Sequence, residues 1–329
     1  MLGFSIYFEK DIDIEKEIEK NKDFDLVFTS LHYPTSDESY RQFLELYNLC
    51  KDYSIRVCVD INNETLNNHP ELIDMDLILR LDFGFTYEEI SKLSHKKSLA
   101  INASTVNNDF LSKLRLANTK MDNIIAIHNF YPLEYSGLSE EYFIKQNSLI
   151  KSYGLNLGGF IPGNGNLRGP VYKGLPTLEN DRYKNPYSTF IKFERKYKLD
   201  LIVLSEDVKT LDKEYISKFN NEKIVTLPVS FLEDSKYIEK IKVRADISDY
   251  LIRNEREKRD VDPQNPTFIK RGDIVMLNNL SGRYRGEIEI IKKDLGVSPE
   301  RNVIGRVKDD YLEIVDYIKG GDLVEFNRR

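Results

Sequence analysis

The chain has 329 residues, 40% of them hydrophobic and 31% charged, and its 54 acidic side chains outnumber 48 basic ones to give a net charge of −6. That balance excludes general disorder and disfavours a nucleic-acid binder, which needs a basic face. The length suggests about two domains, or one barrel-sized unit with an appendage, and no run of about eighteen apolar residues is present to span a bilayer.

The opening Met-Leu-Gly-Phe-Ser-Ile-Tyr-Phe-Glu lacks the basic start and long apolar stretch of a secretory signal, so a cytoplasmic location is expected. From there short apolar runs recur with amphipathic stretches between them. Strands are predicted over 2–8, 26–31, 56–60, 77–82, 99–103, 124–128, 156–161 and 201–204, and helices over 38–52, 87–93, 108–116, 142–153 and 186–197. Strands that are apolar throughout and alternate with helices imply a parallel sheet covered by helices. Eight such units over roughly 210 residues fit a closed (β/α)8 TIM barrel. No glycine-rich dinucleotide fingerprint follows the first strand to favour a Rossmann sheet. Beyond residue 220 the texture changes to short strands at 224–232, 249–253, 273–277, 286–291, 305–307, 312–315 and 323–326, separated by turn residues. This predicts a barrel over 1–233 and a small, mostly antiparallel β domain over 234–329.

In such a barrel the active site lies at the C-terminal mouth, so polar residues that end strands carry the functional reading. They are His32, Asp60, Asp82, Asn102, His128 and Asn129. Side chains alternate faces along a strand, which groups Cys58 with Asp60, Ile78 with Arg80 and Asp82, and Ala126 with His128. With the first member of each set lining the interior, Asp60, Asp82, Asn102 and His128 converge. Arg80 cannot stay unpaired inside the barrel, and its natural partner is Asp60 or Asp82. The carboxyl it contacts is held ionised while the other is left to carry a proton, a division that glycoside hydrolysis uses. Competing structural readings are a helix N-cap for either Asp, a hydrogen-bonded core residue for His128, and a purely structural ion pair for Arg80.

The predicted seventh strand runs into a loop rich in Gly and Pro that carries Arg168, Tyr172, Lys173 and Glu179. Loops after strands seven and eight are a frequent phosphate site in this fold. Arg168 offers a bidentate fork and Lys173 a point charge, although the GxxxxGK[ST] pattern is absent. A surface loop with scattered charges is the alternative. Cys50 and Cys58 form neither a CxxC pair nor a disulfide framework, and the four histidines lack zinc-like spacing, so no metal or cofactor is expected.

Phe-Thr-Ser-Leu-His (28–32), Leu-Arg-Leu-Asp-Phe-Gly-Phe (79–85), Asn-Ala-Ser-Thr (102–105), His-Asn-Phe-Tyr-Pro (128–132) and Arg-Gly-Pro-Val-Tyr-Lys-Gly-Leu-Pro-Thr-Leu-Glu (168–179) resemble the MupG family. These proteins were long known only as outer surface proteins of unknown function from Gram-positive bacteria. The resemblance extends over nearly the whole chain, with Arg253 and the Arg-Gly-Asp at 271–273 similar to the family's C-terminal domain. It implies a TIM barrel followed by a cyclophilin-like β domain. For the characterised branch it implies a 6-phospho-N-acetylmuramidase, which hydrolyses the bond between N-acetylmuramic acid 6-phosphate and N-acetylglucosamine during cytoplasmic recycling of cell-wall peptidoglycan. Ser205-Glu206-Asp207 stands where that pattern has a Gly-Asp ending to strand eight.

These readings make the chain a phosphosugar glycosidase. Asp60 and Asp82 are the catalytic candidates, with Glu179 and Asp207 in reserve as acids or substrate ligands. His32, Asn102, His128 and Asn129 would bind sugar hydroxyls or the acetamido group, Tyr131 and Tyr172 would stack on a sugar ring, and Arg168 and Lys173 would hold the phosphate. The expected partner is a small phosphorylated amino-sugar disaccharide, with no nucleic acid or membrane. The alternatives are a sugar-phosphate aldolase or isomerase on the same barrel, and a non-catalytic sugar-phosphate or partner-binding protein.

Overall fold

The computed structural model describes residues 1–8, 12–31, 37–232, 238–255 and 258–328. Eight parallel strands close into a barrel, with the last pairing back onto the first. They are β1 (Leu2–Ser5), β2 (Leu26–Ser30), β3 (Arg56–Ile61), β4 (Leu77–Leu81), β5 (Ser98–Asn102), β6 (Ile124–Ile127), β7 (Asn156–Ile161) and β8 (Leu201–Leu204). Alternating with them in sequence are α1 (Ile14–Lys20), α2 (Asp37–Asp52), α3 (Asn63–Asn68), α4 (Tyr87–Ser94), α5 (Asn108–Leu116), α6 (Glu140–Ser152), α7 (Pro186–Lys192) and α8 (Thr210–Glu222). The TIM barrel read from the sequence is the architecture found. Among the described residues no helix is long and apolar enough to cross a membrane.

Local chemistry starts the helices. Asp13, Asn62, Thr86, Asn107 and Ser139 each accept a hydrogen bond from the backbone N–H three residues on, and Thr86 with Glu89 completes a capping box. Alternation along the strands then decides what reaches the mouth. Cys58, Ile78 and Ala100 pack in the barrel interior, so Asp60, Arg80 and Asn102 share their face two residues nearer the mouth. On β6 the interior residues are Ile125 and Ile127. The next inward position is therefore Asn129, and His128 turns outward.

The chain divides into two compact units, 1–186 with 197–209 and 187–196 with 210–329. The first holds all eight barrel strands. The second contains β9 (Ile224–Phe231), β10 (Lys240–Lys242), β11 (Leu251–Arg253), β12 (Phe268–Ile269), β13 (Asp273–Leu277), β14 (Ile288–Ile291), β15 (Gly296–Val297), β16 (Arg301–Val307) and β17 (Leu323–Asn327). Seven of them form a sheet in the order β10-β17-β9-β16-β13-β14-β11, antiparallel except for β17 against β9, and β12 pairs with β15. Because β9 is central to this sheet, the second unit takes in residues ahead of the 233/234 division expected from the sequence. Within it, the guanidinium of Arg195 donates to Asp322 at 3.0 Å and Lys218 pairs with Glu325 at 2.7 Å, tying helical segments to the sheet.

One predicted strand is corrected. Residues 312–315 lie in a 3-10 segment, Asp309–Tyr317. Its β-branched Ile314 and Val315 are buried side by side, and Asp309, Asp310, Glu313 and Asp316 break the two-residue alternation that a half-buried strand needs.

Candidate active site

β3 and β4 pair in a register that sets Asp60 beside Arg80. With both side chains on the interior face and neighbouring strands about 4.8 Å apart, the charges meet. Nη1 of Arg80 donates to Oδ1 of Asp60 at 2.6 Å, and Nη2 donates to Oδ1 of Asn129. The Arg80 side chain is 4% exposed and that of Asp60 15%. Burial opposes the charge on Arg80, but the Asp60 carboxylate more than offsets it, so the guanidinium pKa is raised above its ordinary value. Asn129 is itself fixed: its N–H donates to Ser104 Oγ and its carbonyl accepts from Thr177 Oγ1, both at 2.9 Å. Of the two carboxyls open to Arg80 in the sequence, the guanidinium contacts Asp60.

A cavity of about 140 Å³ opens over this pair, walled by the rings of Tyr7, Phe28, Phe130 and Phe160. Phe28 and Phe130 each meet Phe160 edge to face, with centroids 5.0 and 5.2 Å away. Tyr7, Ser30 and Phe130 continue into an adjoining cavity of about 290 Å³ that Arg168 also lines. The Arg168 guanidinium lies 3.5 Å from the Tyr7 ring centroid and 5.3 Å from that of Phe130, a cation held on π faces. It has no carboxylate partner among the described residues.

The loop that carries Arg168 is fastened by Glu206, whose carboxylate accepts the backbone N–H groups of Arg168 at 2.9 Å and Leu175 at 3.1 Å. Gly163 lets that loop pass the end of β8, since a Cβ there would lie 2.2 Å from the Asp207 carbonyl oxygen.

The other sequence candidates scatter around this centre. Asp82 is exposed and lines a separate cleft of about 260 Å³ together with Asn102, whose Oδ1 accepts the Ser104 N–H at 2.9 Å. Asp207 lines a third cleft, of about 380 Å³, which Arg168 and Tyr7 also line. Tyr131 is half-buried, with its phenol pKa raised by burial. Tyr172 is 64% exposed at a φ of 56°. Lys173 is exposed with its ammonium 3.9 Å from Glu134. His32 lies outside the described residues.

Two candidates are placed in structural roles. Glu179 accepts Nε and Nη2 of Arg182 at 2.7 and 2.6 Å and the N–H groups of Tyr135 and Gly137 at 2.9 and 2.7 Å. The Arg182 bonds lead in holding its pKa down to about 2, so it clamps the loops after β6 and β7. His128 is fully buried against α6, its Nε2 2.8 Å from Asn147 Oδ1 and its Nδ1 3.3 Å from Ser104 Oγ. The expectation that it converges on the mouth is corrected, because the inward set on β6 is the odd-numbered one.

Burial pushes the His128 imidazole pKa down to about 4, against the opposing bond to Asn147. The folded state therefore binds fewer protons than the unfolded one between the ordinary value near 6.5 and about 4. Its contribution to stability is intact above that window and is lost as pH falls through it, by about 3 kcal/mol at the limit. Denaturation of wild type and His128→Gln from pH 7 to pH 4 should show a shallower decline for the variant. Parallel declines would show that this histidine is not a buried neutral ring.

Sequence reasoning missed Tyr7 and the three phenylalanines of the cavity. The signal was available in the first strand, where Gly3, Ser5 and Tyr7 alternate onto one face, but aromatic residues read as core until a cavity is seen between them.

Comparison with known proteins supplies the family. The N-terminal model of 6-phospho-N-acetylmuramidase matches residues 2–221 and the C-terminal model matches 225–327. A crystal structure of a conserved Enterococcus faecalis protein of unknown function is 27% identical, with a TM-score of 0.90 over 100% of this chain and 96% of that one. An uncharacterised Bacillus cereus protein, 23% identical, shares the fold with a TM-score of 0.82 over 99% of both chains. No curated protein matches. The two family models together span nearly the whole sequence, and the chain belongs to the MupG family of 6-phospho-N-acetylmuramidases, which are glycoside hydrolases.

Proposed function

We propose that the chain hydrolyses the bond between N-acetylmuramic acid 6-phosphate and N-acetylglucosamine, in the cytoplasm, as a step in the recycling of peptidoglycan sugars. The observation that carries this reading is Arg168. A guanidinium laid on two aromatic rings with no carboxylate partner among the described residues, in a cavity adjoining the Asp60–Arg80 pair, is a ready receptor for a phosphate. The phosphate would lie on Arg168, with the sugar ring spanning Tyr7 and Phe130 so that its anomeric carbon comes to the mouth beside Asp60. As the counter-ion of Arg80, Asp60 is the anionic member of the catalytic pair. Asp82, on the rim by β4, is the member assigned to proton transfer at the leaving oxygen.

Arg168→Met keeps the aliphatic stem over Tyr7 and removes the fork. A charge-assisted hydrogen bond contributes about 1.5–3 kcal/mol, so kcat/KM on the phosphorylated disaccharide should fall roughly tenfold to a hundredfold, mainly through KM. Turnover of the same disaccharide without phosphate should be slow in wild type and unchanged in the variant. Equal wild-type turnover of both sugars would remove the phosphate site from the account.

A further inference from the structure

We infer that the 140 Å³ aromatic cavity is the receptor for the 2-acetamido group of the phosphosugar, with the Tyr7 hydroxyl donating to the acetamido carbonyl oxygen and Asp60 accepting its N–H. The inference rests on the glycosidase reading above and assigns a subsite within it.

Size is the first argument. An apolar cavity of about 150 Å³ accommodates benzene, so this one has room for an acetamido group and none for a substituted pyranose ring. The walls are the second. Phe28, Phe130 and Phe160 offer a neutral, apolar lining suited to a methyl group. A phosphate would meet the Asp60 carboxylate there, with the charge of Arg80 already matched, whereas Arg168 in the next cavity has no carboxylate partner among the described residues.

The polar atoms of the cavity fit the same group. The Tyr7 hydroxyl and Arg80 Nε are buried and have no hydrogen-bond partner among the described residues. Arg168 lies over the face of the Tyr7 ring and is close enough to act on its phenol, but outside the geometry of a hydrogen bond to its hydroxyl. Leaving a buried donor unsatisfied is costly, and in native proteins such groups call for an explanation such as a functional role. Burial also drives the Tyr7 phenol pKa up, so it remains an O–H donor. A carboxylate accepts several hydrogen bonds, so Asp60 can take an amide N–H beside the bond it receives from Arg80.

One neutral group matches this pattern: an oxygen acceptor for Tyr7, an N–H for Asp60 and a methyl for the phenyl walls. The acetamido contact expected of Asn102 and His128 is thereby moved to the other side of the mouth. Tyr7 and Phe130 also border the Arg168 cavity, so one sugar can reach both subsites at once.

The test crosses one variant with two substrates: the phosphorylated disaccharide, and its analogue with a hydroxyl in place of the acetamido group on the phosphorylated ring. Wild type should use the analogue on the order of a hundredfold less well, because a site built to hydrogen-bond a substrate group rejects one that lacks it. Tyr7→Phe should lose roughly tenfold to a hundredfold in kcat/KM on the acetamido substrate and close to nothing on the analogue. Its Tm should be equal to or above that of wild type, since the hydroxyl it loses has no hydrogen-bond partner among the described residues. An equal loss on both substrates, or wild-type turnover indifferent to the acetamido group, would overturn this inference alone. Failure of wild type to cleave either substrate would overturn the glycosidase reading, and this inference with it.

Discussion

Asp60→Asn is expected to lower kcat on the phosphorylated disaccharide by roughly 10²–10⁴, the range that positioned acid–base groups supply, with KM rising as well, because the NH2 that replaces one carboxylate oxygen cannot accept the acetamido N–H. The substitution keeps the shape of the side chain, and its amide oxygen can still accept from Arg80, so the barrel should close as before. What disappears is the anion beside the reacting carbon. Stability should fall as well, since Arg80 is 4% exposed and loses its counter-charge. Breaking a buried pair from one side costs about 3–5 kcal/mol, and the retained hydrogen bond keeps the loss below the upper end. Turnover within threefold of wild type would show that the Asp60–Arg80 pair is structural.

Arg80→Met should be at least as damaging. It strips the guanidinium from both Asp60 and Asn129 and leaves the Asp60 carboxylate, beside Phe28, Phe130 and Phe160, without its Arg80 counter-charge. The informative variant is the double one. Replacing both partners removes the uncompensated charge, so Asp60→Asn with Arg80→Met should be more stable than Arg80→Met alone. A cycle of the four proteins should give a coupling of about 0.5–3 kcal/mol. Activity should behave in the same non-additive way, with the double variant no worse than the poorer single one. Strict additivity in stability and rate would mean that the two residues act independently, which their 2.6 Å contact does not allow.

The barrel was legible because its strands are apolar along their whole length. β6, Ile-Ile-Ala-Ile, and β8, Leu-Ile-Val-Leu, can be little else than strands covered on both faces. That same uniformity hides which face looks inward. On β6 nothing in the sequence separates Ile125 and Ile127 from Ala126 and His128, and a shift of one residue exchanges the two faces. β3 and β4 carry Asp60 and Arg80 amid apolar neighbours, so there the inward face declares itself. Asp82 and Asn102 were expected to converge with Asp60, whereas they line a separate cleft, because a strand pattern does not say which cleft a rim residue joins. Glu179 and Glu206 could not be told from catalytic acids by sequence, because their partners are an arginine and backbone N–H groups supplied by loop folding.

The most direct measurement is the release of free N-acetylglucosamine from the phosphorylated disaccharide by purified protein, with the phosphosugar product counted alongside. The account predicts equimolar release of both products by wild type and a rate at least about a hundredfold lower for Asp60→Asn. No release by wild type, or release by Asp60→Asn at the wild-type rate, would contradict it.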